Sequence, residues 1–517
     1  MKTGYCHALG TQIFDPEGRP IVFRGVGIGG WLLIEGYMIN SYGTIDRPRR
    51  LQAHIAHTVD AVYAEQFMKT WRQRFFTAED VRFIAEQGFN MIRIALDYQV
   101  FFTPSETASS LEVIDGAFNL LDTVIQWCKT AGVYVILDLH AAPGGQTGTN
   151  IDNSMADHPD LFTHALYQDQ TVFIWETFAR RYRDEPIIAA YDLLNEPLPS
   201  WFSRYNNQLM PLYERIINAI RALDSHHMIT LEGLHWSTDW SCFERLMDDN
   251  ILLQFHKYWN APDQESIKTY LADGERHGAP IMMGEGGENN LAWLTAAFKL
   301  YAQNAVSFVF WAYKKMTAHN ALMSFSEPDN WAAFLEGSLS EVASKAVLEA
   351  LLENIRFERC QAQEDVAQAL LHRVPFTCPA YAYDFYGEGV SFGRLKHRSS
   401  SLRRGDGLTI FDAKGHLVEP VFNHMKGEDP SPEQTLYLWL KPGEWVTYTF
   451  HLECPAASVR IHIESIGPLH AKVSINDIPH THHAGQLSCL TAQQQNILRI
   501  EAIEPIVLAN IVFRLDR

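Results

Sequence analysis

The segment Ile188-Ala-Ala-Tyr-Asp-Leu-Leu-Asn-Glu-Pro197 places a short apolar run directly before an amide, a carboxylate and a proline. Such a run has the length of a buried strand, and the proline ends it. Similar apolar runs recur along the first 320 residues, with longer helical patterns between them. The eight predicted strands are Ile21–Val26, Met91–Ala95, Val133–Leu139, Ile188–Leu193, Met228–Leu231, Ile251–His256, Ile281–Gly284 and Ser307–Ala312.

Helical patterns separate these strands. Phe76–Gln87 is predicted to be a helix with Thr77 as its N-cap, and Ile114–Ala131 a helix that Gly132 ends. Before the first strand, Ile13–Ile21 has turn residues at its centre and is predicted to form a hairpin. Strands that alternate with helices form βαβ units, so eight units in about 350 residues predict a closed (β/α)8 barrel of the α/β class.

The last third of the chain has a different pattern. An amphipathic helix over 341–358 is expected to close the barrel. From about residue 376, short alternating runs rich in Tyr, Val, Ile and Thr predict a β-sandwich. We therefore predict a catalytic barrel over 1–360, a linker over 361–375 and an accessory β-sandwich over 376–517. The accessory domain is expected either to shield the barrel or to bind carbohydrate.

The amino-acid composition limits the classes of molecule that this protein is expected to bind. The 517 residues have a net charge of −19, and an acidic surface repels nucleic acids and anionic membranes. The seven cysteines include no C-x-x-C pair and do not form a disulfide framework, which indicates a reducing compartment. The N-terminus shows no signal segment and no run is long enough to span a membrane. We expect a cytoplasmic protein and leave its oligomeric state open.

Polar residues gather at the ends of the predicted strands, where barrel enzymes hold their catalytic groups. Two glutamates among imidazole, amide, guanidinium and aromatic groups suit glycoside hydrolysis, because this reaction needs one carboxylic acid and one carboxylate. The strand-end residues, in chain order, are Arg93, His140, Asn195, Glu196, Glu232, His256, Tyr258, Glu285 and Trp311. Glu232 is interpreted as a secondary or scaffold group.

These segments resemble glycoside hydrolase family 5, in the clan whose catalytic glutamates follow strands four and seven. Asn195-Glu196-Pro197 matches the signature of that family, and the match runs in order over about residues 12–355. The resemblance implies that Glu196 is the acid/base and Glu285 the nucleophile of a retaining β-glycosidase. It also implies that other matching positions contact substrate: Arg93, His140, Asn195, His256, Tyr258 and Trp311.

The opening Arg24-Gly-Val-Gly-Ile-Gly-Gly-Trp-Leu32 and the long loop after strand three resemble the exo-β-1,3-glucanase-like branch. This branch implies exo action on short β-glucosides or β-glucan oligosaccharides, with Glu35 and Asp152 bonding the terminal sugar. The sequence departs from the branch at Ala95, at Gly286-Gly287 and over residues 32–70. The substrate partner is a carbohydrate, and no cofactor or metal is expected.

Three alternatives remain. The same two glutamates also serve an endo-β-glycanase or a transglycosylase. A non-catalytic carbohydrate-binding barrel predicts the loss of one glutamate, yet both are present. A metal-dependent hydrolase calls for His-x-His after strand one, which the sequence lacks.

Overall fold

The computed structural model describes residues 4–453, 457–491 and 493–516. Cys454 lies outside these residues, and the six other cysteines are free thiols. Within the described residues no helix combines the length and the apolar character that crossing a membrane requires. The chain divides into two compact units, which are described one at a time: residues 4–257, 270–286 and 307–362, and residues 258–269, 287–306 and 363–516.

The first unit contains a closed barrel of eight parallel strands that follow one another in chain order. The prediction of a (β/α)8 barrel is confirmed, and the predicted strands differ from the observed ones mainly at their ends. The barrel strands are β1 (Arg24–Ile28), β2 (Met91–Asp97), β3 (Tyr134–Ala141), β4 (Ile188–Asp192), β5 (Met228–Glu232), β6 (Ile251–His256), β7 (Ile281–Gly287) and β8 (Ser307–Trp311).

Helices connect the barrel strands. Thr77 and Asp80 form a capping box at the start of α3, and Gly132 ends α4 in a left-handed conformation, as predicted. Helix α4 starts four residues later than predicted. The helices are α1 (Pro48–Thr58), α2 (Ala61–Phe75), α3 (Ala78–Glu86), α4 (Phe118–Ala131), α5 (Ala165–Tyr182), α6 (Leu209–Arg221), α7 (Lys268–His277), α8 (Leu291–Gln303), α9 (Trp331–Leu335), α10 (Glu341–Asn354) and α11 (Glu364–Leu371).

The amino ends of the barrel strands contact the N-terminal segment. Gln12–Phe14 pairs antiparallel with Pro20–Ile21, which confirms the predicted hairpin, and also with His7–Leu9. Cys6 and Ile13 join a buried cluster with residues near the starts of the barrel strands, among them Met91 and Met228. Because this end of the barrel is filled with apolar side chains, polar chemistry is confined to the opposite end.

The second unit contains two antiparallel sheets, and the predicted β-sandwich is confirmed. Phe450 of one sheet contacts Phe513 of the other, with ring centroids 4.8 Å apart. The six-stranded sheet contains Phe376–Pro379, Thr409–Asp412, Leu436–Leu440, Ala457–Ser465, Gln486–Thr491 and Ile506–Leu515. The five-stranded sheet contains Phe392–Gly393, Trp445–His451, Ala471–Ile475, Ile478–His480 and Gln495–Ala502.

The units depart from the predicted domain boundaries. Residues 361–375, predicted as a linker, include helix α11, whose apolar side chains are buried. Helix α8 lies between β7 and β8 in the chain but belongs to the second unit. Its Lys299 donates to the Ala382 carbonyl (3.1 Å) and its Gln303 to the Asp384 carboxylate (2.9 Å). The position of α8 in the chain does not indicate its unit, because a unit is defined by contacts between residues that can be distant in the chain.

A buried ion pair stabilises the first unit. Asp80 accepts from the Thr77 N–H (2.7 Å) and the Tyr313 hydroxyl (2.6 Å) and lies 2.8 Å from the Lys314 ammonium. Lys314 also donates to the carbonyls of Phe75 and Ile355. Both charged side chains are fully buried, so each depends on the other for compensation.

We predict that Asp80→Ala lowers the free energy of unfolding by about 3–5 kcal/mol, because the Lys314 charge is left without its buried partner. Glu79→Ala is the matched control: the same helical turn loses an exposed carboxylate, which costs within about 0.5 kcal/mol. Urea denaturation at pH 7 measures both values. Equal effects in the two variants would contradict the prediction.

Candidate active site

Arg93 lies at the centre of the polar groups inside the barrel. Its guanidinium is fully buried and donates to Asp192 (2.8 Å), Glu232 (2.8 Å), Glu285 (2.9 Å) and the Asn195 side-chain oxygen (2.8 Å). Asp138 lies 3.2 Å from the same group. One cation from β2 therefore positions side chains contributed by strands β3, β4, β5 and β7.

Glu196 follows β4 in a turn with left-handed backbone (φ 47°). Conformations of this kind persist only where the surroundings hold them, and they concentrate at functional sites. Here the Glu196 N–H donates to the Glu232 carboxylate (2.7 Å), and the preceding Asn195 N–H donates to the Leu139 carbonyl (3.1 Å). The Glu196 carboxylate in turn hydrogen bonds to His256 Nδ1 (2.6 Å).

The two predicted catalytic carboxylates lie close together. An oxygen of Glu196, an oxygen of Glu285 and a ring nitrogen of His256 all lie within 4.8 Å of one another. Both glutamates are buried. They differ in their partners, because Glu285 bonds the Arg93 guanidinium, whereas Glu196 bonds the His256 ring.

His140, Asn195 and Trp311 form a second group around this pair. His140 Nδ1 bonds Asp138 (2.7 Å), and its Nε2 lies 3.2 Å from the Asn195 amide nitrogen. Because Arg93 occupies the Asn195 oxygen, this amide donates to Nε2 and fixes the ring with its proton on Nδ1. The Trp311 ring is parallel to the His140 ring, with centroids 5.4 Å apart, and its N–H donates to the Tyr37 hydroxyl.

The glycines of β1 and the residue after it make room for Trp311. A Cβ on Gly27 would lie 2.4 Å from one ring carbon of Trp311, and a Cβ on Gly29 would lie 2.6 Å from another. Any side chain at these positions displaces the ring. These glycines therefore make room for an aromatic side chain of the neighbouring strand β8, which lies almost 300 residues further along the chain.

Burial and mutual repulsion shift the pKa values of these acids. Burial opposes the charge on Glu232, yet His256, Arg93 and the Glu196 N–H lower its pKa to about 2. Burial also disfavours the charged His256 ring, but the carboxylates of Glu232, Glu285 and Glu196 raise its pKa well above the usual value. For Glu285, burial raises the pKa, Glu196 adds to this effect, and His256 and Arg93 oppose it.

Glu35 is buried, and its carboxylate is 4.0 Å from His140 Nε2. Its contact with substrate stays a prediction. Asp152 lies in the loop that follows β3, and its contact with substrate stays a prediction. Its buried carboxylate accepts from the N–H groups of Thr147, Gly148 and Ser154 and from the Thr147 hydroxyl. The Asp152 carboxylate thus stabilises the fold of its own loop.

Tyr258 belongs to the second unit, where its carbonyl accepts from the Asn289 amide (3.2 Å). Its contact with substrate stays a prediction. Sequence reasoning did not assign Asp138 and Asp192 to the site, although they contact Arg93. The sequence did indicate both residues, because a carboxylate inside an apolar strand needs a buried partner.

Among the residues that the structure describes, two groups of acidic and histidine side chains have the spacing of a cation site. One is Glu196, His256 and Glu285, and the other is Asp138, Asp192 and Glu232. In the second grouping the Arg93 guanidinium contacts all three carboxylates. The positive charge that this cluster requires thus comes from the chain itself.

Comparisons with known proteins agree with this geometry. Residues 56–317 match the cellulase family, glycosyl hydrolase family 5. A β-xylosidase from Phanerodontia chrysosporium is 34% identical over 240 residues, covering 46% of this chain and 48% of that protein. A probable glucan 1,3-beta-glucosidase A from Neosartorya fischeri is 29% identical over 273 residues, covering 52% and 61%.

Among solved structures, Thermotoga maritima Cel5A in complex with cellobiose has 17% identity and a TM-score of 0.42, covering 62% of this chain and 98% of that one. The chain spans about half the length of the first of the named relatives and three fifths of the second. A parallel barrel that brings two carboxylates together at its strand ends suits glycoside hydrolysis, which uses a pair of Asp or Glu side chains. Because the family match covers half of the chain, this chain belongs to glycosyl hydrolase family 5.

We predict that Glu232→Gln lowers the pKa of His256, because the variant loses the negative charge that contributes most to the raised value. NMR titration of the histidine ring signals measures this change, with the exposed His164 as the internal reference. In the wild type, the charged His256 stabilises the fold below its unfolded pKa, and this stability is lost as the pH rises through its folded pKa. An unchanged His256 titration would show that Glu232 does not control this proton.

Proposed function

We propose that this chain is a retaining β-glycosidase that removes terminal sugars from short β-glucosides or β-glucan oligosaccharides. The observation that supports this most is the spacing of Glu196 and Glu285, whose nearest oxygens lie within 4.8 Å. Retaining enzymes hold their carboxyl groups about 5–5.5 Å apart, whereas inverting enzymes leave about 6.5–9.5 Å for a water molecule.

In the first step the Glu285 carboxylate attacks the anomeric carbon, and the bond to the leaving oxygen breaks. Glu196 gives its proton to that oxygen, and a glycosyl ester forms on Glu285. In the second step Glu196 takes a proton from water, the water oxygen attacks the anomeric carbon, and the ester bond breaks. Asn195 is positioned by Arg93 and His140 to bond the sugar 2-hydroxyl, and Trp311 supplies the face on which the ring stacks.

The partners of the two glutamates support this division of roles. Arg93 keeps a permanent positive charge 2.9 Å from Glu285, which favours the ionised nucleophile. Glu196 shares a 2.6 Å hydrogen bond with His256. This imidazole holds the Glu196 carboxylate in one position, which suits a group that acts first as an acid and then as a base.

Two loops support exo action. The segment that begins α1 follows β1 and bonds the loop that follows β3: Arg47 donates to the Ser154 hydroxyl (3.1 Å) and the Arg49 N–H to the Asn153 side chain (3.1 Å). Both loops leave the barrel beside residues of the site, because Glu35 lies on the first loop and His140 lies at the end of β3, just before the second loop. Joined in this way, they limit the space beyond the terminal sugar.

The alternatives use the same glutamates. Endo action and transglycosylation remain open, as does a β-xyloside as substrate, which the name of one relative favours. A panel of p-nitrophenyl β-glucoside, β-xyloside, β-mannoside, β-galactoside and β-cellobioside separates these possibilities. Release from a monosaccharide glycoside supports exo action and identifies the sugar; release from the disaccharide alone supports endo action. A folded protein that releases nothing favours a binding role.

We predict that sodium azide distinguishes the two glutamates. In Glu196→Ala, azide attacks the glycosyl-enzyme and gives the β-glycosyl azide, because the configuration inverts twice. In Glu285→Ala, azide replaces the missing carboxylate and gives the α-azide. We expect kcat to fall by about 10³-fold or more without azide in both variants. NMR of the products assigns the configuration; exchanged products would reverse the assigned roles.

We predict that the acid limb of kcat/KM lies above the ordinary glutamate pKa of 4.5, because burial raises the pKa of Glu285 and the nucleophile must be ionised. Activity falls as the pH drops through this raised value. The measurement uses a β-glycosyl fluoride, whose departure needs little acid catalysis, so that the limb reports the nucleophile. A limb at or below 4.5 would contradict the prediction.

A further inference from the structure

Lys315 is a buried cation beside the candidate active site. It follows the last residue of β8 by four positions, and only 6% of it is exposed. Its ammonium lies 5.6 Å from the centre of the Tyr37 ring. The Tyr37 hydroxyl in turn accepts from the Trp311 N–H (2.8 Å). Because burying an ammonium costs free energy unless nearby groups compensate it, a lysine in this place indicates a specific role.

The chain that follows β8 also binds a segment that follows β1. This segment is Glu35–Asn40 and is called the 35–40 segment. The Asn40 side-chain amide donates to the Thr317 hydroxyl (2.9 Å), and the Trp331 indole N–H donates to the Ile39 carbonyl (2.8 Å). These two bonds hold the end of the segment, whereas the contact with the buried lysine lies closer to its start.

The 35–40 segment places two side chains against one pair of stacked rings. At its start, the Glu35 carboxylate lies 4.0 Å from His140 Nε2. Two residues later, Tyr37 bonds the Trp311 ring, which stacks on the His140 ring with centroids 5.4 Å apart. A shift of the tyrosine therefore moves the glutamate relative to the face on which the sugar is proposed to stack.

We propose that Lys315 is a positioning residue for recognition of the terminal sugar. Its ammonium attracts the face of the Tyr37 ring and so holds the 35–40 segment against Trp311. Glu35 is thereby kept at one position beside the sugar. A cation attracts an aromatic face more strongly where water is excluded, so the burial of Lys315 strengthens this contact. The inference rests on the proposed function and identifies a side chain that controls it without touching the reacting atoms.

The test is a double-mutant cycle that combines Lys315→Met with Glu35→Gln. Lys315→Met removes the charge and keeps a long side chain. We expect kcat/KM to fall about tenfold, as the loss of a buried cation–aromatic contact predicts. The fall is equal for a p-nitrophenyl β-glycoside and a β-glycosyl fluoride of the same sugar, because the two substrates share the terminal sugar and differ in the leaving group. In the Glu35→Gln background the same change costs less than about twofold, because its effect passes through the carboxylate that this variant lacks.

Three further variants complete the experiment. Lys315→Arg keeps the cation and restores most of the loss. Tyr37→Leu removes the ring that the lysine contacts and lowers kcat/KM by a similar factor, which tests the contact independently of Lys315→Met. Lys345→Met is the matched control, because this exposed lysine of α10 lies over the Tyr63 ring of α2 (4.8 Å), and its loss leaves kcat/KM unchanged.

The outcomes separate the two proposals. A full tenfold loss in the Glu35→Gln background, no loss in Lys315→Met, or a loss confined to one leaving group overturns the positioning role. If the wild type hydrolyses no glycoside, the proposed function fails, and calorimetric titration with 1-deoxynojirimycin, a sugar-shaped amine, then tests Lys315 alone. Weaker binding by Lys315→Met than by the wild type and Lys345→Met supports the role of Lys315. Equal binding by all three proteins, or no binding to the wild type, overturns it.

Discussion

The active-site end of the barrel depends on one buried cation. Arg93 is enclosed by Asp138, Asp192, Glu232 and Glu285, and without it four acids inside a low-dielectric barrel would repel one another. Its guanidinium has five donors in a fixed plane, so it sets distances as well as charge. A lysine in its place would supply the charge without the planar geometry that brings β3, β4, β5 and β7 to one point.

The two carboxylates of the site have different partners. Glu285 has a direct bond to Arg93, whereas Glu196 has none and instead bonds His256. Glu232 links the two environments, because one of its oxygens accepts from Arg93 and the other from the Glu196 backbone. Glu232 takes no part in the proposed reaction. It nevertheless holds the turn that contains Glu196, and its charge raises the pKa of His256.

The loops around the barrel end use their polar groups in different ways. The Asp152 carboxylate accepts hydrogen bonds within the loop after β3. Arg47 and Arg49, which follow β1, donate hydrogen bonds to the same loop. The loops after β4 and β5 instead bring the rings of Trp201 and Trp236 together edge to face, and Trp201 is exposed.

The sequence by itself determined the eight barrel strands, the β-sandwich and the strand-end positions of Glu196 and Glu285, because alternation of strand and helix fixes which residues reach the carboxyl end. Three features could not be predicted from it: the place of α8 in the second unit, the hydrogen bonds of Asp152 within its own loop, and the packing of Trp311 against Gly27 and Gly29. These features depend on contacts between residues far apart in the chain. Tertiary structure decided them, since burial and hydrogen-bond partners exist only after distant segments meet.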